Sequence, residues 1–203
     1  MRRLAALTLA VWAVALPSLA LAGEPLSHVE IGALAPNFSA LGSDARQHRL
    51  SDYVGKVVVL EWTSPVCPYT ASKYGSGLLQ DIQRRALAKG AIWLSIDTAS
   101  PGRAGYLSGE AAKARVTKTR ARITAFLFDP DGHIGRSYGA RTTPGLYVIS
   151  KAGRLVYQGA LDDDPSRKQR GGFDYVTAAL DDLSAGRPVR KAETRPYGCA
   201  VEY

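Results

Sequence analysis

The sequence predicts an α/β fold in which helices flank a central sheet, on three observations. Residues 57–62, VVVLEW, form a run of β-branched and apolar residues suited to a strand buried on both faces. A helical pattern follows after one short turn, and strand and helix signals alternate from there on. Later, two apolar runs flank Lys151-Ala152-Gly153, which reads as a hairpin turn.

The chain of 203 residues opens with Arg2 and Arg3, an apolar run over residues 4–16 and a small-residue site at Ala20-Leu21-Ala22. This is the pattern of a secretory signal peptide, residues 1–22, cut after Ala22. As a membrane anchor the run is short, because a span needs ~20 apolar residues. The expectation is a periplasmic or secreted protein with no membrane span after cleavage. Residues 23–203 then suit one domain, with residues 187–203 as a C-terminal tail.

The formal charge is +8, and the basic residues are scattered apart from a denser patch over residues 113–122. That patch reads as a solvated helix face, and no nucleic-acid motif accompanies it. His28, His48 and His133 are isolated, without the paired spacing of metal ligands. Asp162-Asp163-Asp164 lacks the calcium-loop pattern and reads as a solvated turn. No phosphate loop or dinucleotide fingerprint appears, so neither metal nor cofactor is expected.

In order, residues 47–50 read as a short strand, and a helix runs from Cys67 to about Lys89 with a break near Gly75 and Gly77. Residues 91–97 are a buried strand, 98–109 a Gly-, Ser- and Pro-rich loop, and 110–119 a helix. A strand over 125–129, the turn Asp129-Pro130-Asp131-Gly132 and a short helix over 134–138 follow. Strands over 146–149 and 155–157 enclose the hairpin. Phe173, Val176, Ala179, Leu180 and Leu183 have helical spacing that closes at Gly186. The tail has too little periodicity to place.

Chemistry concentrates on two cysteines, Cys67 and Cys199. Cys67 falls at the start of a helix directly after a strand. There the helix dipole and free backbone N–H groups favour an anion, and hence the nucleophilic thiolate. Pro68 suits the first helical turn, where its missing N–H costs nothing. In an oxidising compartment a pair of cysteines suggests a disulfide. It is either a static staple on the tail or a redox pair in which Cys199 resolves an oxidised Cys67. Counting Cys67 as the first position, the fourth is Thr70, not a second cysteine, which excludes exchange at a local C-x-x-C. Thr70 is placed to hydrogen-bond the Cys67 thiolate from the first turn, or is a plain helix residue.

Several of these segments resemble the thioredoxin-like superfamily, nearest its redoxin branch of alkyl hydroperoxide reductase and thiol-specific antioxidant proteins. The resemblance rests on Gly32, Ala35, Pro36 and Phe38, on residues 50–56, on the strand with Trp62 and Val66-Cys67-Pro68, and on Thr143-Pro144 before LYVIS. It implies a thioredoxin-like fold with a mixed sheet and Cys67 above the carboxyl end of its strand. It also implies that Pro144 is a cis-proline beside the thiol, with the Thr143 backbone open to a peptide. Glu61, six residues before Cys67, matches a buried acid that exchanges protons with the thiol in thioredoxins. Trp62 sits one position off the thioredoxin tryptophan and reads mainly as core. Partners on this reading are protein thiols or disulfides, a small thiol, or a peroxide. Of the peroxidase pattern, Ser64 stands three residues before Cys67, but Leu60 replaces the proline, Pro144 stands at the arginine position, and Arg141 is off register. The reading is therefore a thiol–disulfide oxidoreductase. The alternatives are a thiol peroxidase with antioxidant function and a non-catalytic binding protein with a structural disulfide.

Overall fold

The computed structural model describes residues 27–166 and 172–203, so the signal-peptide reading of residues 1–22 lies outside the described residues. The elements are β1 (Ser39–Leu41), β2 (Gln47–Arg49), a 3-10 turn (Leu50–Tyr53), β3 (Val58–Trp62), α1 (Pro68–Gly75), α2 (Leu78–Ala88), β4 (Ile92–Asp97) and α3 (Gly109–Thr119). They continue with β5 (Ala125–Phe128), α4 (His133–Tyr138), β6 (Thr142–Thr143), β7 (Gly145–Ile149), β8 (Leu155–Gly159), α5 (Tyr175–Ser184) and β9 (Cys199–Ala200).

Five strands form the central sheet in the order β5-β4-β3-β7-β8. β3 runs parallel to β4 and antiparallel to β7, so the sheet is mixed. The long apolar run makes β3 the middle strand, buried along its whole length. Its alternation feeds two cores. Val58, Leu60 and Trp62 pack with Phe38, Tyr138 and Tyr147 on one face. Val59 packs with Leu79, Ile82, Trp93 and Leu180 on the face covered by α2 and α5. Among the described residues no helix is long and apolar enough to cross a membrane.

The break expected near Gly75 is real: α1 ends there, and Gly77 in the left-handed region (φ +78) starts α2. Two expectations need correction. Phe173 is not part of the last helix. Asp174 caps α5, its carboxylate accepting from the Thr177 N–H at 2.9 Å, and Phe173 before it is exposed. The acidic turn is not simply solvated either. Asp162 is buried and accepts a 2.8 Å hydrogen bond from the ammonium of Lys73, itself buried on α1. A buried lysine requires such a partner, and this turn supplies the carboxylates of Asp162 and Asp164.

Candidate active site

β3 ends at Trp62, and residues 63–66 turn the chain so that Cys67 becomes the N-cap of α1, with Pro68 as its first helical residue. Cys67 is 1% exposed. Across from it, the Thr143–Pro144 bond is cis, and the Thr143 carbonyl oxygen lies 3.0 Å from Cys67 Sγ. Gly145 pairs with Trp62, which holds this loop against the end of β3.

The tail completes the site. β9 pairs antiparallel with β6, setting Cys199 opposite Thr143 and Ala200 opposite Thr142. Cys199 is bonded to Cys67, with Cα atoms 5.8 Å apart, inside the range a disulfide needs. Gly198 makes the approach possible: its φ is +139, and a Cβ there would stand 2.2 Å from the Thr143 carbonyl oxygen. Contacts on both sides hold the segment independently of sulfur. Before Cys199, Tyr197 packs against Tyr69 at 6.0 Å between ring centroids, lies over the Lys73 ammonium at 5.6 Å, and donates its hydroxyl to Asp162. After it, Val201 N–H donates to the Arg141 carbonyl at 3.0 Å, and Tyr203 reaches Ala140 while its ring stacks on Arg136.

The predicted residues separate into two groups. Trp62, Cys67, Thr143 and Cys199 line one cavity of about 200 Å³ beside the disulfide, with Pro68 and Pro144 immediately next to it in sequence. Glu61 lies deeper. It is fully buried and accepts from Trp93 Nε1 and Ser95 Oγ, both at 2.8 Å, from Gln83 at 3.3 Å and from the Tyr74 hydroxyl at 3.4 Å. Burial pushes its carboxyl above the usual range, against the pull of these donors. None of the four bonds goes to Cys67. Thr70 is buried with its hydroxyl unpartnered, as are the Trp62 indole N–H and the Thr63 and Thr143 hydroxyls.

Sequence reasoning missed Lys73, Asp97, Arg115 and Tyr197. Lys73 looks like any surface helix lysine, and Tyr197 lies in an aperiodic tail. Asp97 gave one usable signal: it ends a buried strand, where α/β sheets place their sites. Arg115 belongs to the basic patch, yet its guanidinium turns inward to donate to the Ser64 carbonyl at 3.3 Å.

A mixed sheet carrying a cysteine at the first turn of α1, against a cis-proline loop, defines a thioredoxin-fold protein. More narrowly, the chain belongs to the AhpC/TSA family, whose model matches residues 31–158. The match stops short of the tail, so Cys199 lies outside the family pattern. The chain is similar to an uncharacterized conserved protein from Geobacillus kaustophilus (23% identity over 91% of this chain and 98% of that one, TM-score 0.79). It is also similar to the exposed lipoprotein thioredoxin of Streptococcus pneumoniae (27% identity, 74% and 99% covered, TM-score 0.52). A peroxidoxin of Mycobacterium tuberculosis shares the fold at 15% identity, with 78% and 96% covered and a TM-score of 0.52. No curated protein matches the chain in sequence.

Proposed function

We propose that this protein is an exported thiol–disulfide oxidoreductase in which Cys67 attacks and Cys199 resolves. The observation that carries the reading is the docking of the tail, which brings two cysteines 132 residues apart to the first turn of α1. The thiolate of Cys67 attacks a disulfide of a protein or small-thiol partner, joining to one sulfur while the other leaves as a thiolate. Cys199 then attacks Cys67 and frees the second partner thiol. The protein becomes oxidised and the partner reduced. Thr143 and Pro144, with Pro68, receive the partner once the tail has left β6, over the buried Trp62, and Thr70 supports the thiolate. Because Cys67 is buried beneath the tail, exchange requires the tail around Cys199 to lift from β6. Export is supported by residues 1–22 and by the cysteine pair, which suits an oxidising compartment.

The test is a redox titration of the mature chain in glutathione buffers, with thiols trapped by alkylation and weighed. A pair that opens above roughly −300 mV supports exchange, and one that stays closed below it makes the bond a staple. The family match and Ser64 favour a second reading, a thiol peroxidase. Its signature is a sulfenic acid on Cys67 of the Cys199→Ser variant within seconds of adding peroxide.

A further inference from the structure

A resolving thiol has to lose its proton, and the two cysteines differ in how they do so. Cys67 sits on the first turn of α1. Cys199 sits in the two-residue strand β9, with no helix terminus to favour its thiolate. A base near Cys199 would speed that loss, and Glu61, occupied by four donors, is not among the residues lining the cavity beside Cys199.

Asp97 is placed where Glu61 is not. It ends β4 on the face that carries Trp93 and Ser95, two residues beyond the serine that holds Glu61. Thr63, the residue beside it at the end of β3, donates its N–H to the Ile96 carbonyl at 2.9 Å. Asp97 and Thr63 both line the 200 Å³ cavity together with Cys67, Cys199 and residues 200–202 of the tail. Both are buried, at 3% exposure each, and the Thr63 hydroxyl has no partner. The Asp97 carboxylate accepts from the Ala99 N–H at 3.2 Å. The other charged residue lining the cavity is the tail's Glu202. Arg115 of α3 and Asp129 stand behind its wall, the first donating to the Ser64 carbonyl and the second accepting from the Thr98 hydroxyl.

From this geometry we infer that Asp97 is the proton acceptor for Cys199 when the pair closes. This rests on the redox reading above. In the step, the Cys199 sulfur attacks Cys67 within a mixed disulfide with a partner thiol. The Cys199 proton passes to the Asp97 carboxylate, the Cys67–Cys199 bond forms, and the partner leaves as a thiolate carrying the electron pair of the broken bond. In the reverse direction, when a reductant's thiolate attacks Cys67, protonated Asp97 returns the proton to departing Cys199. Burial supports the role by pushing the Asp97 carboxyl up to about 6, so it takes and gives a proton near neutral pH.

The experiment is a single turnover. The reduced protein is loaded with a thionitrobenzoate mixed disulfide, the adduct is located by peptide mapping after an acid quench, and release of the coloured thiolate is followed against pH. In the native protein the adduct is on Cys67, and release accelerates through an inflection near pH 6. Below that inflection Asp97 is protonated and cannot accept. Asp97→Asn keeps the Ala99 hydrogen bond but slows release at neutral pH on the order of a hundredfold. Its rate then rises only with the thiol's own titration, ~8.5. Glu61→Gln retains the inflection. An unchanged profile in Asp97→Asn, loss of the inflection in Glu61→Gln, or an adduct on Cys199 resolved by Cys67 each overturns the assignment of Asp97. Release that is equally fast in Cys199→Ser instead overturns the underlying redox pair.

Discussion

Residues 57–75 place Cys67 through secondary structure, whereas residues 187–203 place Cys199 with almost none. In the first region the strand is buried on both faces, the turn is short, and the helix starts at a proline. Each choice is local, and each would survive in many neighbouring contexts. In the second region the only named strand is the two-residue β9, and position comes from scattered contacts with distant partners: Tyr197 to Asp162, Tyr203 to Ala140, the Val201 N–H to Arg141, and the close approach of Gly198 to the Thr143 backbone. Cys67 is thus built into the core, and Cys199 is pinned onto it. A pinned segment can lift and return, and a core strand cannot. The pins should be breakable one at a time, with graded consequences.

The largest effect is expected at Lys73, the pin shared by both regions. It is fully buried on α1, pairs with Asp162 at 2.8 Å, donates to the Asp164 carbonyl at 2.9 Å and underlies the Tyr197 ring. Lys73→Met leaves a buried carboxylate without its cation and should cost about 3–5 kcal/mol in urea unfolding of the oxidised protein. Adding Asp162→Asn should recover much of that loss. A loss below about 1 kcal/mol, as for a surface pair, would remove Lys73 from the latch.

Gly198→Ala comes next, because it acts only on the approach of the tail. A side chain there is strained at φ +139 and strikes the Thr143 carbonyl, a cost of roughly 1–3 kcal/mol. Cys199 should then close on Cys67 with an effective concentration about tenfold lower or worse in glutathione exchange, since 1.4 kcal/mol is tenfold. The fold itself should stand, judged by unfolding of the reduced protein. An unchanged exchange equilibrium would mean that both redox states carry the strain equally, so that the tail stays docked on β6 when reduced and does not lift.

This contrast also explains how much was legible in the sequence. The order of elements, the helix break at Gly75, the central position of β3 and the location of Cys67 all follow from local patterns of hydrophobicity and turn residues. The tail carries no such pattern, and the partners of Tyr197, Val201 and Tyr203 lie 35 or more residues away in the chain, as Asp162 does from Tyr197. For the same reason the acidic turn was misread: nothing near Asp162 announces a lysine 89 residues upstream. Glu61 is buried, as the resemblance implies and the apolar strand around it allows. Its proton-transfer role rests on sequence spacing to Cys67, and the donors that occupy it come from α1, α2 and β4.

Tyr197→Phe sharpens the comparison at lower cost. It keeps the ring over Lys73 and against Tyr69 but removes the hydroxyl bond to Asp162. Loss of one bond to a charged carboxylate should cost about 1.5 kcal/mol. Because this contact belongs to the tail, the loss should appear in tail docking, measured as disulfide exchange, more than in global unfolding. A purely global loss would mean that Tyr197 supports the core rather than the latch.

The smallest expected effect lies at Thr70 and separates the two redox states. In the disulfide-bonded protein its hydroxyl is buried without a partner. Replacing that hydroxyl with a methyl group of the same shape in Thr70→Val should leave the oxidised protein's stability unchanged, or raise it by up to about 1 kcal/mol. In the reduced protein the hydroxyl lies one helical turn from a free sulfur, where it can donate to the Cys67 thiolate. Removing that donor should slow alkylation of Cys67 at neutral pH by up to about tenfold. A stability that holds while reactivity falls would assign the hydroxyl to the thiolate, so that its vacancy in the oxidised state is the cost of serving the reduced one. If alkylation of Thr70→Val matches that of the native protein at every pH, the hydroxyl serves neither state, and Cys67 owes its reactivity to the helix terminus alone.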